Sequence, residues 1–105
     1  MQIIFEDEDL KELISTGRNR KYQKYSRDRY FMQRLIKAFS IMVAAGSTRE
    51  LGCHSFLHYE QLRHLSLSSI RIANSYPERI IFRETDSGIV ITILEMNTTH
   101  YKNKK

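Results

Sequence analysis

Three sets of side chains in this sequence could do chemistry, and each also has a plain structural reading. Cys53, His54, His58 and His64 fall within twelve residues, so a zinc site is the first possibility. Their spacing fits no finger or catalytic zinc pattern, and ordinary loop and strand residues account for them. Cys53 as a nucleophile would need a neighbouring base and a lowered pKa, and the sequence displays neither. The second set is His58, within Leu57-His58-Tyr59-Glu60-Gln61-Leu62, and His100, within Asn97-Thr98-Thr99-His100-Tyr101. Imidazole serves either proton role near neutral pH; the bland alternative is two surface histidines. The third set is Arg71 and Arg79, on successive strands and pointing from one face. A partly buried guanidinium needs a carboxylate or a phosphate partner, and Glu95 on the last strand is the obvious internal candidate. The chain has no glycine-rich phosphate loop and no HExxH helix, so neither a metal nor a cofactor is expected.

Charge adds a fourth feature. Residues 1–16 carry five acids and one base, a local −4, whereas residues 17–37 carry eight bases against Asp28 alone, a local +7. Such a stretch attracts a polyanion or an acidic protein, although a solvated helix face would look the same. Arg18, Arg20, Lys21 and Lys24 lead it, interleaved with Tyr22, Tyr25 and Tyr30.

These groups need elements to position them. Gln2 to Phe5 suits an opening strand. Asp7 or Glu8 starts a helix with Leu10, Leu13 and Ile14 on one face, and Gly17 caps it. Phe31, Leu35, Phe39 and Met42, joined by Met32, Ile36 and Val43, make a wide apolar stripe of helical period. It predicts a second helix from about Tyr22 to Ala45, closed by Gly46. Phe56 to Tyr59 reads as a short strand. Ser69–Ala73, Arg79–Glu84 and Ile89–Met96 are strands rich in β-formers, joined through Asn74-Ser75-Tyr76-Pro77 and Asp86-Ser87-Gly88 turns. The expectation is an α+β chain in the order β-α-α followed by strands: two N-terminal helices on a curved, mainly antiparallel sheet. One sheet face packs on the helices and the other presents arginines.

Length and composition agree. A chain of 105 residues, 41% hydrophobic and 28% charged with one Pro and four Gly, is one ordinary domain and not a disordered or repetitive sequence. Residues 1–101 are expected to form it, with 102–105 a frayed basic tail. The run Ile41–Ala45 is far short of a membrane span of roughly 20 residues. Met1–Phe5 turns acidic at once, so no signal peptide is expected. A lone cysteine makes a reducing cytosol the simplest compartment.

The frame Leu57-His58-Tyr59-Glu60-Gln61-Leu62, then Ser69-Ile70-Arg71-Ile72, then Arg79-Ile80-Ile81-Phe82, then an Ile-rich strand ending in His100-Tyr101, resembles the HigB branch of the RelE-like toxins. Ile3-Ile4-Phe5 and Leu13-Ile14-Ser15-Thr16-Gly17 also look like that family's plasmid-maintenance killer proteins. The resemblance spans residues 2 to 101 and rests on order and spacing, not on one motif. It implies a bacterial, cytoplasmic toxin of a type II toxin–antitoxin pair. Such a toxin cleaves mRNA in the ribosomal A site without a metal, and a small helix-turn-helix antitoxin encoded beside it neutralises it. His58, Arg79 and His100 match the family's catalytic positions, with Tyr101 beside them; Arg71 and Arg83, with the basic stretch, are the implied RNA contacts. One departure stands out: Thr98 and Thr99 occupy the place of an Asp-Tyr pair common before the last histidine. Either His100 and Tyr101 do the chemistry here, or activity is reduced. The competing class is a non-catalytic module of the same fold that only docks RNA or protein.

Overall fold

The computed structural model of the chain describes residues 1–97. Strand β1 (Gln2–Phe5) leads into helix α1 (Glu8–Thr16), a single turn α2 (Gln23–Ser26) and helix α3 (Arg29–Ala44). Short 3₁₀ turns over Thr48–Cys53, Ser55–Leu57 and Arg63–Leu65 punctuate the next stretch. The strands are β2 (Glu60–Leu62), β3 (Leu67–Arg71), β4 (Arg79–Glu84) and β5 (Val90–Asn97). They form one sheet in the order β1-β5-β4-β3-β2, antiparallel except for the parallel β1–β5 pair. The expected α+β class with a mainly antiparallel sheet is therefore present.

Helix α1 starts where its cap dictates: Asp7 accepts from the Leu10 backbone N–H at 3.1 Å, with Glu8 and Asp9 in the positive first turn. It ends on Gly17 at φ 79°, whose N–H reaches the Leu13 carbonyl at 2.8 Å.

The single helix expected over 22–45 is in fact two. Asp28 takes an extended backbone and accepts from the Phe31 N–H at 3.0 Å, capping a fresh helix. A short polar side chain competes with the helical ladder in this way and stops the preceding turn. The α3 stop also differs, because Ala45 leaves in an extended conformation and no left-handed Gly46 is used.

The buried stripe of α3 is narrower than the sequence pattern. Phe31, Met32, Leu35, Ala38 and Met42 are buried, whereas Ile36 and Val43 are 44% and 45% exposed. Phe39 is half-buried against Phe5, with ring centroids 5.7 Å apart. Leu10 and Leu13 join that stripe over Ile70, Ile72, Ile80, Phe82, Ile91 and Ile93 of the sheet.

Residues 56–59 are not a strand. The His58 N–H bonds the Ser55 carbonyl at 3.1 Å and His58 sits at φ 48°, a left-handed turn that an extended strand cannot include. Pairing resumes only at Glu60. Further along, Ile81 faces Glu95 while Phe82 faces Ile93, so Leu94 is the extra residue of a bulge. The Asp86-Ser87-Gly88 turn forms as expected, with Gly88 at φ 73° and its N–H on the Thr85 carbonyl at 3.0 Å.

Candidate functional site

The β-strand period of two decides which side chains share the face away from the helices. On β3 these are Ser69 and Arg71; on β4 they are Arg79, Ile81 and Arg83. Arg71 and Arg79 are direct cross-strand partners, and so are Ser69 and Ile81. The expected arginine face is thus real at one end. It is not a uniformly polar surface, because Ser69 and Ile81 are buried.

Arg79 is the most constrained cation of this face, its side chain only 17% exposed. Its Nε donates to Ser69 Oγ at 2.8 Å and its Nη2 to the His58 carbonyl at 2.7 Å. Glu60 Oε1 lies 3.6 Å from Nη2. The internal carboxylate is therefore Glu60 and not Glu95, which is exposed and faces Ile81. Burial pushes the Arg79 guanidinium below the ordinary arginine range; Glu60 opposes that shift and the neighbouring Arg71 adds to it.

Arg71 makes one long bond, Nη1 to the Asn74 carbonyl at 3.4 Å, and its Nε is buried with no hydrogen-bond partner. Like charges directly opposite on a sheet repel, and an unmet buried donor costs about 1–3 kcal/mol. Both costs fall if an anion binds between the two guanidiniums.

His58 joins this pair through both its backbone and its ring. Its left-handed conformation, unfavourable for a residue with a Cβ by about 1 kcal/mol or more, turns its carbonyl to Arg79. Its Nε2 lies 3.2 Å from Asn74 Oδ1. With Nε2 donating there, Nδ1 is left as the acceptor. His58, Arg71 and Arg79 are thus brought together, with Ser69, Asn74 and Glu60 as supports. Of these, Ser69 was visible as a same-face neighbour in the alternation of β3. Asn74 and Glu60 carried no sequence signal, because one lies in a turn and the other on the edge strand.

Asn97, the last described residue, is the β5 partner of Arg79. His100 and Tyr101, three and four residues further on, and the tail 102–105, lie outside the described residues. Arg83 stands apart from the cluster. It lies four residues along β4, about 13 Å at strand rise, is exposed, and sits 3.6 Å from Glu6.

The residue after His58 is anchored from the other side. Tyr59 stacks on Phe82 and donates its hydroxyl to Glu84, which also accepts from Ser68 Oγ at 2.5 Å and Thr48 Oγ1 at 2.9 Å. Burial alone would raise the Glu84 pKa, but donors from Ser68, Tyr59, Thr48 and Gln61 outweigh it and hold the carboxyl below its ordinary value of 4.5. A folded value below the unfolded one stabilises the fold above the unfolded pKa, and that stability is lost as pH falls through the folded pKa. Melting temperature is therefore expected to drop as pH is lowered below about 4.5, and Glu84→Gln to flatten that drop. An unchanged acid profile in Glu84→Gln would contradict the network.

The basic stretch lies at the end of the sheet where β4 begins. Arg18, Arg20, Lys21 and Lys24 are all exposed. Lys21 and Lys24 lie over the Tyr22 and Tyr25 rings, at 5.2 and 5.5 Å. Arg18, Arg20 and Arg27 border an open depression of about 500 Å³. Two clamps fix this segment to the strand connection. Tyr25 donates to Glu78, the residue before Arg79, at 2.6 Å, and Tyr76 donates to Asp28 at 2.5 Å. Hydrogen bonding to Asp28, with some desolvation, raises the Tyr76 pKa to about 12, so the hydroxyl stays a donor at neutral pH. The α2 segment and the connection that leads into Arg79 are consequently tied together by named bonds.

Among the described residues, no three His, Cys, Asp or Glu side chains come together to hold a metal, and Cys53 is exposed. No helix of the described residues is long and apolar enough to cross a membrane.

No protein-family model and no curated protein matches the chain. Among solved structures it is similar to a chain of the YoeB–YefM complex from Staphylococcus aureus, with a TM-score of 0.55, 16% identity, and coverage of 96% of this chain and 98% of that one. A YoeB/ParE toxin from Agrobacterium tumefaciens gives a TM-score of 0.49 at 13% identity, over 95% of this chain and 100% of that one. At 16% identity the first likeness establishes a shared fold and nothing about chemistry.

Proposed function

We infer that this chain is the toxin of a toxin–antitoxin pair, of the HigB branch of the RelE-like toxins. It acts as a metal-independent endoribonuclease on mRNA in the ribosomal A site, in the bacterial cytoplasm. The observation that carries this reading is the cross-strand pair Arg71–Arg79, one guanidinium held against the His58 carbonyl and the other with an unmet buried donor. Such a pair is built to receive one phosphodiester. The fold shared with a chain of the YoeB–YefM complex supports both the toxin assignment and a protein partner. The antitoxin assigned here is a small helix-turn-helix protein encoded by the neighbouring gene. Residues 1–101 form the working domain, and 102–105 a basic tail.

Cleavage without a metal needs a base for the 2′-OH, in-line geometry, cationic stabilisation of the phosphate and an acid for the leaving 5′-oxygen. His58 and His100 divide the two proton roles. Arg79, assisted by Arg71, donates to the non-bridging oxygens as charge builds. Tyr101 stacks on a base or relays a proton. The 2′-oxygen, its proton taken by the base, bonds to phosphorus and the 5′-oxygen leaves with a proton from the acid, giving a 2′,3′-cyclic phosphate and a 5′-OH end. Water then opens the cyclic phosphate where a 3′-phosphate results. Arg18, Arg20, Lys21 and Lys24 grip ribosomal or messenger backbone, and Arg83 assists from the same sheet face.

Expression of the wild-type chain is expected to arrest growth and leave mRNA fragments with 5′-OH ends, read by end mapping. DNA, lacking the 2′-OH, stays intact. Growth arrest without new RNA ends would favour a non-catalytic binding module of this fold.

A further inference from the structure

A second cationic cluster lies beside the His58 turn, on the side where helix α3 packs. Arg34 and Lys37 are three residues apart on α3, the spacing that puts two side chains on one helix face. Both approach the ring of Phe56, with the Arg34 guanidinium carbon 5.1 Å and the Lys37 ammonium 5.5 Å from its centroid. The His54 ring meets the same phenyl edge-on, centroids 6.0 Å apart. One cation over an aromatic ring is a stable arrangement; a second beside it adds repulsion. Neither Arg34 nor Lys37 is ion-paired with a described carboxylate, and Arg34 Nε is buried without a hydrogen-bond partner. The cluster therefore has cationic charge, an unmet donor and no counter-charge among the described residues.

Its position is fixed relative to the candidate site. Leu57 N–H bonds the His54 carbonyl at 3.0 Å and His58 N–H the Ser55 carbonyl at 3.1 Å, so one tight turn carries the chain from the Phe56 cluster to His58. The same helix reaches the other flank of the site, where Phe31 and Tyr30 pack on Tyr76 of the connection between Arg71 and Arg79.

We propose that Arg34, Lys37 and Phe56 form a subsite for a phosphate of single-stranded RNA flanking the one held by Arg71 and Arg79. This subsite rests on the ribonuclease reading above and adds the path of the strand: past the α3 face, over the His58 turn, onto the sheet. A guanidinium and an ammonium one helical turn apart can share one phosphate or hold two successive ones. The part-buried ring beneath them keeps their stems in place and lowers the local dielectric, which strengthens the contact.

The test is binding of a labelled 2′-O-methyl single-stranded RNA of about 12 nucleotides to the full chain across a salt series, by fluorescence anisotropy. Each lost phosphate contact reduces the slope of log affinity against log salt by about 0.7. Arg34→Gln with Lys37→Gln is expected to lower the slope by about 0.7 where the two share one phosphate and by about 1.4 where they hold two, with Lys37→Gln alone lowering it by no more than about 0.7. Lys37 is exposed, so the single variant keeps its fold even if the double does not, which thermal melting would show. Slopes equal to wild type, with Arg79→Ala still weakening binding, would overturn the subsite and leave the Arg71–Arg79 site standing. A wild-type chain that binds no RNA at any salt would overturn both. Labelled polyglutamate is titrated in parallel. Variants that weaken its binding alone would mark the cluster as a surface for an acidic protein and overturn its assignment to RNA.

Discussion

Replacing His100 with alanine is expected to slow RNA cleavage by about 10²–10⁴-fold and to relieve growth arrest. The expectation follows from the metal-independent mechanism proposed above. Transfer of the 2′-OH proton and delivery of one to the 5′-oxygen must both be done by side chains, and imidazole is suited to both near pH 7. The described structure supplies one imidazole, at His58, with its ring 3.2 Å from Asn74 Oδ1. Among the described residues no other histidine stands beside Arg79 for the second proton role, since His54 stands edge-on to Phe56 and His64 lies in the turn between β2 and β3. Asn97, the last described residue of β5, pairs with Arg79 and stands three positions before His100 in the sequence.

Single-turnover cleavage as a function of pH separates the two histidines. Loss of the base removes the acidic limb of the pH–rate profile, and loss of the acid removes the basic limb. His58→Ala and His100→Ala should each remove one limb, and not the same one. Wild-type cleavage by His100→Ala would place the second proton transfer elsewhere, with Tyr101 as the first residue to change.

Much of the scaffold was legible because single residues dictate it. Asp7 and Gly17 bracket α1 with a side-chain cap and a left-handed stop, and both effects are local. The strands β1 and β4 fall where alternation and β-branched residues put them. What was not legible depended on partners distant in sequence. Asp28 looked like the one acid in a basic helix; its capping of α3 is reinforced by the Tyr76 hydroxyl, 48 residues away. The segment 56–59 has strand-like composition, yet the Ser55–His58 turn and the αL backbone of His58 override it. The parallel β1–β5 pair follows from the crossover through the helices, which local sequence does not encode.

The site divides in the same way. That Arg71 and Arg79 share a face follows from strand period alone. That Arg79 is oriented by Ser69 and the His58 carbonyl, and balanced by Glu60 and not Glu95, required register. The bulge at Leu94 matters here, because it changes which β5 residues stand opposite β4.

Arg79→Ala is expected to lower cleavage by about 10²–10³-fold, the usual loss when one preorganised donor to a developing anion is removed. Its effect on stability should be much smaller. The substitution leaves the buried Ser69 Oγ without this partner, costing about 1–3 kcal/mol, whereas the exposed His58 carbonyl can turn to water. It also removes a desolvated cation facing Arg71, which offsets part of that cost. A melting temperature lowered by several degrees, with cleavage nearly abolished, is the expected pair of results. Arg79→Lys sharpens the test. It keeps the charge but has no planar fork, so it cannot hold Ser69, the His58 carbonyl and a phosphate together. Its cleavage rate should fall between those of wild type and Arg79→Ala. If Arg79→Lys matched wild type, a point charge would suffice and the fork geometry would be irrelevant. If Arg79→Ala kept its toxicity with an intact fold, the phosphate would have to be held elsewhere, and the cross-strand arginine pair would be a structural feature of the sheet.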